Sequence, residues 1–212
     1  MIDSNNIFCI NLDSQPRKWD IVCKTFAQFG NKLQLTRKSA VVGRPPWKGC
    51  LQSHLDIIQE AKNKDLDMVL ILEDDIQIPN KNWINITTSA LKQLKDEDWA
   101  VLKLGGTYDH HIQATRISRN LVRIDNGALW TTHAQVVNSK YYDTFLNAGL
   151  TSPKNKTNID VYICSDVFYR KMFVTDPLLI FQKPGYSTID DRKVDRGLRA
   201  RRMYRKVKSR IK

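Results

Sequence analysis

"VLILEDDIQI" (residues 69–78) is the stretch whose reading decides the fold. Val69 to Leu72 are aliphatic with no polar alternation, the pattern of a strand buried on both faces. Glu73, Asp74 and Asp75 follow at once. Side chains alternate across an extended strand, so Glu73 and Asp75 point one way and Asp74 the other. At ~4 Å and an effective dielectric of ~20, each close carboxylate pair costs on the order of 4 kcal/mol. That is a large share of a domain's net stability of roughly 5–15 kcal/mol. Three acids at the end of a core strand therefore need protons, basic partners or a divalent cation. Hard oxygen ligands suit Mn²⁺ or Mg²⁺. The other reading is a solvated acidic turn that caps the next helix.

Outward from this strand the pattern alternates strand and helix. "NIFCINL" (6–12) reads as a strand. Residues 14–30 read as a helix, with Ser14 as N-cap, Pro16 in the first turn and Gly30 at the end. Residues 33–42 contain a strand. "GRPPWKG" (43–49) reads as a loop, and residues 50–64 as a helix with an apolar stripe at 51, 55, 57, 58 and 61. A helix at 83–94 and a strand at 99–106 follow. Residues 121–138 read as two short strands around the turn dipeptide Asn126-Gly127. Helices at 139–149 and 160–170 precede a last strand at 172–183. This order predicts an α/β sandwich with a mostly parallel central sheet. Ligands in such sheets bind beyond the carboxyl ends of the strands, where the three acids stand.

The 212 residues, 42% of them hydrophobic, suit one domain with a sizeable core. The net charge of +12 is unevenly spread. From Arg192 to Lys212 there are 11 Lys/Arg against one acid, Asp195, which leaves residues 1–191 with only +2. We therefore expect a domain over 1–191 and a basic C-terminal tail over 192–212. A near-neutral body without a helix-turn-helix, RNP or zinc-finger signature argues against nucleic acid as partner. In the tail, Leu198, Met203, Val207 and Ile211 recur at intervals of four or five. An amphipathic helix on an anionic membrane, an anionic-polymer contact and a disordered solubilising tail all fit that pattern. Cys9, Cys23, Cys50 and Cys164 form no CxxC pair, so reduced thiols and a cytoplasmic setting, peripheral to a membrane at most, are expected. "IFCINL" is too short for a signal peptide or a membrane span. The sequons at Asn85 and Asn155 are then chance matches.

"FCINLDSQPRKWD", "KGCLQSHLDIIQEA", "VLILEDDI", "GALWTTHAQVVNSKYY" and "FQKPGYSTI" stand in the order typical of glycosyltransferase family 25, which the chain resembles over roughly residues 6 to 190. That family includes lipopolysaccharide-biosynthesis glycosyltransferases and procollagen galactosyltransferases. The resemblance implies a GT-A-type, Rossmann-like αβα sandwich. It also implies inverting transfer of a hexose, galactose or glucose, from a UDP-sugar to a hydroxyl of a glycan, lipopolysaccharide or protein acceptor, with Mn²⁺ or Mg²⁺ as cofactor.

Mapped onto this chain, Glu73-x-Asp75 stands where the DxD-like metal motif stands. Asp75 is the first candidate ligand, and the division of labour among Glu73, Asp74 and Asp75 is left open. His133 is a candidate further ligand. A divalent cation would stabilise the charge of the leaving diphosphate. Inversion needs a base on the far side of the sugar, for which Asp160 is the candidate, with Asp190 and Asp191 behind it. The competing reading of Asp160 is a helix N-cap or first-turn acid. Asn11, Leu12, Asp13 and Arg17 follow the first strand on the donor side, joined by Ser53, His54 and Gly105. Gly127, Ala128, Gln182 and Ser187 fall to the acceptor side. Trp47 and Trp130 stack on a ligand or pack in the core; His110 and His111 read as a solvated loop. A basic nucleic-acid-binding protein, another divalent-metal nucleotide enzyme such as a nucleotidyltransferase or nuclease, and an inactive scaffold are the rival readings.

Overall fold

A computed structural model describes residues 2–3, 5–30, 33–150, 158–187 and 192–211. Asn155, Asp190 and Asp191 lie outside the described residues.

The first half of the chain follows the predicted alternation. β1 (Ile7–Asn11) leads into α1 (Pro16–Ala27), with Pro16 in the first turn, where its missing N–H costs nothing. The predicted Ser14 cap is not used; Gln15 occupies that place without a side-chain bond. β2 (Thr36–Ser39) precedes α2 (Pro46–Asn63). The predicted loop at 43–49 is thus shorter than expected, because Pro45 and Pro46 form the helix start rather than bar it. β3 (Met68–Glu73) and β4 (Ile76–Gln77) flank the acids, and α3 (Trp83–Gln93) follows.

The middle departs from the sequence reading. β5 (Val101–Lys103), β6 (Thr107–Tyr108), β7 (Gln113–Ser118), β8 (Leu121–Asn126), β9 (Leu129–Trp130) and β10 (Ala134–Asn138) come in succession. No hairpin turns at Asn126-Gly127. β8 pairs with the unforeseen β7, β9 pairs with β6, and β10 goes to the sheet centre between β3 and β5. The reason lies in β10: Ala134 to Val137 are buried on both faces, which an edge hairpin cannot provide. Gly127, at φ +86°, takes the chain out of β8.

α4 (Tyr142–Leu150) and the short α5 (Ile159–Ile163) lead to β11 (Met172–Thr175). The predicted strand 172–183 breaks at Pro177, which has no N–H for a ladder, and resumes as β12 (Phe181–Gln182). β13 (Gly185–Ser187), β14 (Arg192–Val194) and α6 (Arg196–Val207) complete the described chain.

The main sheet has the order β2-β1-β3-β10-β5-β11-β8-β7. β8 and β10 run opposite to the other six strands, so the sheet is mixed but mostly parallel. β3 shows how it is buried. Leu70 and Leu72 pack with Val22 and Phe26 of α1 and Trp83 of α3; Val69 and Ile71 pack with Ile57 and Ile58 of α2 and Phe145 of α4. Helices on both faces make the αβα sandwich. The same alternation sends Glu73 toward α2 and Asp74 toward α1.

The basic segment meets a different fate from a tail. Ala200, Met203 and Val207 of α6 are buried, the latter two in the core cluster of α2 and α4, while Leu198 is 53% exposed. Tyr204 donates to Asp176, and the Arg201 guanidinium lies 4.6 Å over the Phe181 ring.

Candidate active site

A cleft of about 670 Å³ opens at the carboxyl ends of β1, β2 and β3. The structure brings Leu12, Ser53, His54, Glu73, Asp74, Asp75, Asp160, Gln182 and Ser187 of the expected residues to its lining, together with Trp47.

Each of the three acids has its own donor. Glu73 accepts from the Thr132 hydroxyl at 2.8 Å. Asp74 accepts from the Asn11 amide at 2.7 Å and lies 3.6 Å from the Lys18 ammonium. Asp75 accepts from the Gln182 amide at 3.1 Å, and its main-chain carbonyl from the Lys183 N–H at 2.6 Å. The β4–β12 ribbon delivers both partners. Asp75 Oδ1 is buried without a hydrogen-bond partner. Burial, then the charges of Glu73 and Asp74, push the Asp75 carboxyl up to about 7. Burial also raises Glu73.

His54 is fully buried, and that burial lowers it to about 4, so it is neutral at pH 7. Its Nδ1–H donates to the Cys50 carbonyl at 2.9 Å. Nε2 is left as an acceptor without a partner, 3.9 Å from Glu73 Oε1. Ser53 works structurally: its hydroxyl accepts from the Val41 N–H and donates to the Gly49 carbonyl, both at 2.8 Å, tying the β2–α2 loop to the helix. Asp160 stands in the first turn of α5, behind Asn158 at the N-cap, and also faces the cleft. It accepts from the Val161 N–H at 2.9 Å and the Thr131 N–H at 3.4 Å.

Other expected site residues lie elsewhere. Asn11 is 1% exposed and sits behind Asp74; its side-chain Oδ1 accepts from Arg37, which also reaches Asp13. Arg17 is exposed and outside the cleft lining. Val22 and Phe26 set the inward stripe of α1, and Lys18, four residues before Val22, is the cation on it. Helical phase could have picked Lys18 over Arg17. Gly105 approaches protein rather than ligand: a Cβ there would lie 2.0 Å from the Ile180 carbonyl oxygen and 2.4 Å from His133 Nε2. His133 is 2% exposed, donates from Nε2 to the Ile180 carbonyl at 3.1 Å and accepts at Nδ1 from Thr131 at 3.0 Å. Neither nitrogen is available to a metal. Gly127 and Ala128 are absent from the cleft lining, and Gly127 borders a separate depression of about 50 Å³.

Sequence reasoning missed Lys183 and Arg196, which line the cleft, and the pair Thr131-Thr132, which bonds Asp160 and Glu73. Arg196 reaches the site because α6 packs against β12: a Cβ on Gly197 would lie 2.5 Å from the Gln182 carbonyl oxygen. Nothing in the local sequence announces that contact.

Among the described residues, no group of three or more His, Cys, Asp or Glu side chains is arranged to hold a metal ion. Mg²⁺ and its like commonly take only one or two carboxylates and complete their shell with substrate phosphates and water. The orphaned Asp75 Oδ1, beside Glu73, fits that smaller requirement.

The model of glycosyltransferase family 25, described as LPS biosynthesis protein, matches residues 45–146. Among solved structures, a glycosyltransferase involved in the glycosylation of the major capsid of PBCV-1 aligns at 14% identity with a TM-score of 0.55, over 87% of this chain and 95% of that one. A197 from STIV aligns at 11% identity and TM-score 0.46, over 89% and 92%. An apo UDP-glucose pyrophosphorylase aligns at 7% identity and TM-score 0.44, over 78% and 65%. No curated protein matches the chain in sequence. The first likeness carries the fold, and the family supports a glycosyltransferase. Residues 45–146, which bring α2, the three acids that close β3 and Thr131-Thr132 to the cleft, are the part of the chain that matches the glycosyltransferase family 25 model.

Proposed function

We propose that the cleft binds a UDP-sugar and transfers its hexose, with inversion, to a hydroxyl of a glycan, lipopolysaccharide or protein acceptor. One observation carries the reading: four carboxylates (Glu73, Asp74, Asp75 and Asp160) and three cations (Lys18, Lys183 and Arg196) converge at the carboxyl edge of a GT-A-like sheet. A diphosphate needs cations around it, and three basic side chains on three separate elements supply them. Asp75, with Glu73 beside it, would hold Mn²⁺ or Mg²⁺; when bound there, the cation supplies neutralisation of diphosphate charge. Asp160, on the α5 side, is the base for the acceptor hydroxyl: its two amide bonds fix the carboxylate. Gln182 holds Asp75 in its rotamer.

The outer face of α6 suits an anionic membrane as a peripheral partner. Arg199, Arg202, Arg205 and Lys206 are exposed there with Leu198 among them. Among the described residues, no helix is long and apolar enough to cross a membrane.

Calorimetry with a panel of nucleotide sugars, with and without Mn²⁺, tests the reading. The expected result is Mn²⁺-dependent binding of a UDP-hexose that Asp75→Asn abolishes. Failure of every nucleotide sugar to bind overturns it.

A further inference from the structure

Thr131 has φ +75°. A β-branched residue in the left-handed region is a true outlier, and it persists only where its surroundings over-determine it. Here all its polar atoms are held. The N–H donates to Asp160 Oδ2, the hydroxyl to His133 Nδ1, and the carbonyl accepts from the Lys103 ammonium at 2.6 Å.

Lys103 is the unusual partner. It ends β5, is 0% exposed, and has that carbonyl as its hydrogen-bond acceptor, with no carboxylate in salt-bridge reach among the described residues. Burying an ammonium without a paired carboxylate is strongly unfavourable, and an apolar side chain of similar length would serve a sheet interior better. Its register neighbours are Val174 and Gln135, whose buried side-chain amide has no hydrogen-bond partner and does not reach the Lys103 amine. Departures from local rules of this kind concentrate at functional sites.

The stretch that Lys103 holds touches two of the cleft acids on different elements. Thr131 bonds Asp160 of α5; one residue on, Thr132 bonds Glu73 of β3, whose own N–H returns to the His133 carbonyl at 3.0 Å. His133 is pinned in turn by the Ile180 carbonyl, in the space that Gly105 leaves.

We propose that Lys103 is a positioning residue. By holding the Thr131 carbonyl it keeps that residue left-handed, so that the Thr131 N–H meets Asp160 and the Thr132 hydroxyl meets Glu73. The two carboxylates are thereby fixed relative to each other from beneath the cleft. This rests on the transfer reading above for its consequence, though not for its geometry.

Lys103→Met keeps the length of the side chain and removes the ammonium. Hydrogen exchange of the Thr131 amide, followed by NMR in the ligand-free protein, reads the geometry without any substrate. Exchange at Thr131 should rise by about tenfold or more while Leu72 in β3 stays protected. Unchanged exchange at Thr131 overturns the proposal whatever the enzyme turns over. With the donor sugar, kcat should fall about tenfold or more with donor KM within about twofold, at an equal or higher melting temperature. A lower melting temperature with kcat per folded molecule unchanged would mark Lys103 as a core support and also overturn it. A wild-type protein that turns over no nucleotide sugar would remove the transfer reading alone, and the exchange measurement would still decide the role of Lys103.

Discussion

The carboxyl ends of β3 and β5 point the same way on either side of β10, and they carry opposite charges into opposite surroundings. β3 ends in three acids at the edge of an open cleft, each with a separate donor. β5 ends in one ammonium, wholly buried on one carbonyl. The acids repel one another, yet solvent, the nearby cations and a ligand can relieve them. The Lys103 amine is cut off from solvent, and burial pulls its pKa down, so its relief is loss of the proton rather than contact with water or a ligand. The charges at the rim line the cleft, and the one beneath it bonds the backbone that leads to Thr132 and His133.

The sharpest test of the rim is Asp75→Asn. Turnover should drop by about 10²- to 10³-fold, the scale of one lost group that stabilises transition-state charge, read by product release from a UDP-sugar. Stability should move the other way above neutrality. The Asp75 carboxyl is raised to about 7 in the folded protein, chiefly by burial. Its unfolded value is about 3.9. The folded state therefore holds this proton more tightly than the unfolded chain. That contribution to stability is present at low pH and is lost as pH rises through about 7. Asparagine cannot ionise, so in chelator the variant should be more stable than wild type at pH 8, by on the order of 1–3 kcal/mol, with the gap closing toward pH 4. Melting curves that stay parallel from pH 4 to 8 would show that Asp75 carries no such burden.

Gly105→Ala probes the buried side. The Cβ would stand 2.0 Å from a backbone oxygen, which cannot swing away as a flexible side chain would. A loss of about 2–4 kcal/mol in denaturant unfolding is expected. A change below about 0.5 kcal/mol would mean there is room at the end of β5 after all, and ligand approach to Gly105 would be open again.

The same contrast explains what could be read from the sequence. β3 was legible because a run of aliphatics ending in three acids is a local pattern, and its alternation put Glu73 and Asp74 on opposite faces. The strand–helix order gave the sandwich for the same reason. Lys103 in "VLKL" looks like an ordinary strand lysine, and its burial depends on β10 entering the sheet beside it. That placement in turn was hidden by Asn126-Gly127, a strong turn signal that closes no hairpin here. Lys183 and Arg196 were invisible because β12 and α6 reach the cleft through long-range packing. His133 drew a ligand's role by its order in the chain, and only the partners of its two nitrogens show it to be structural.

The outer face of α6 offers the gentlest test, since its charges are the counterpart of Lys103 in solvent. Arg199, Arg202 and Arg205 are exposed, while the opposite face of the helix is anchored by Met203, Val207 and the Tyr204–Asp176 bond. Reversing all three to Glu leaves that anchored face intact. Surface changes of this kind usually fall within about 0.5 kcal/mol each, and Arg205, in the last turn, adds a few tenths through the helix dipole. Unfolding should therefore barely shift. Vesicle binding should respond far more, because each basic residue near an anionic surface contributes about 1 kcal/mol and reversal replaces attraction by repulsion. Flotation with phosphatidylglycerol vesicles should lose the variant, while phosphatidylcholine vesicles bind neither protein. If wild type and variant float alike, the arginines of α6 serve solubility alone, and position in the fold would separate Lys103 from them without any difference in partner.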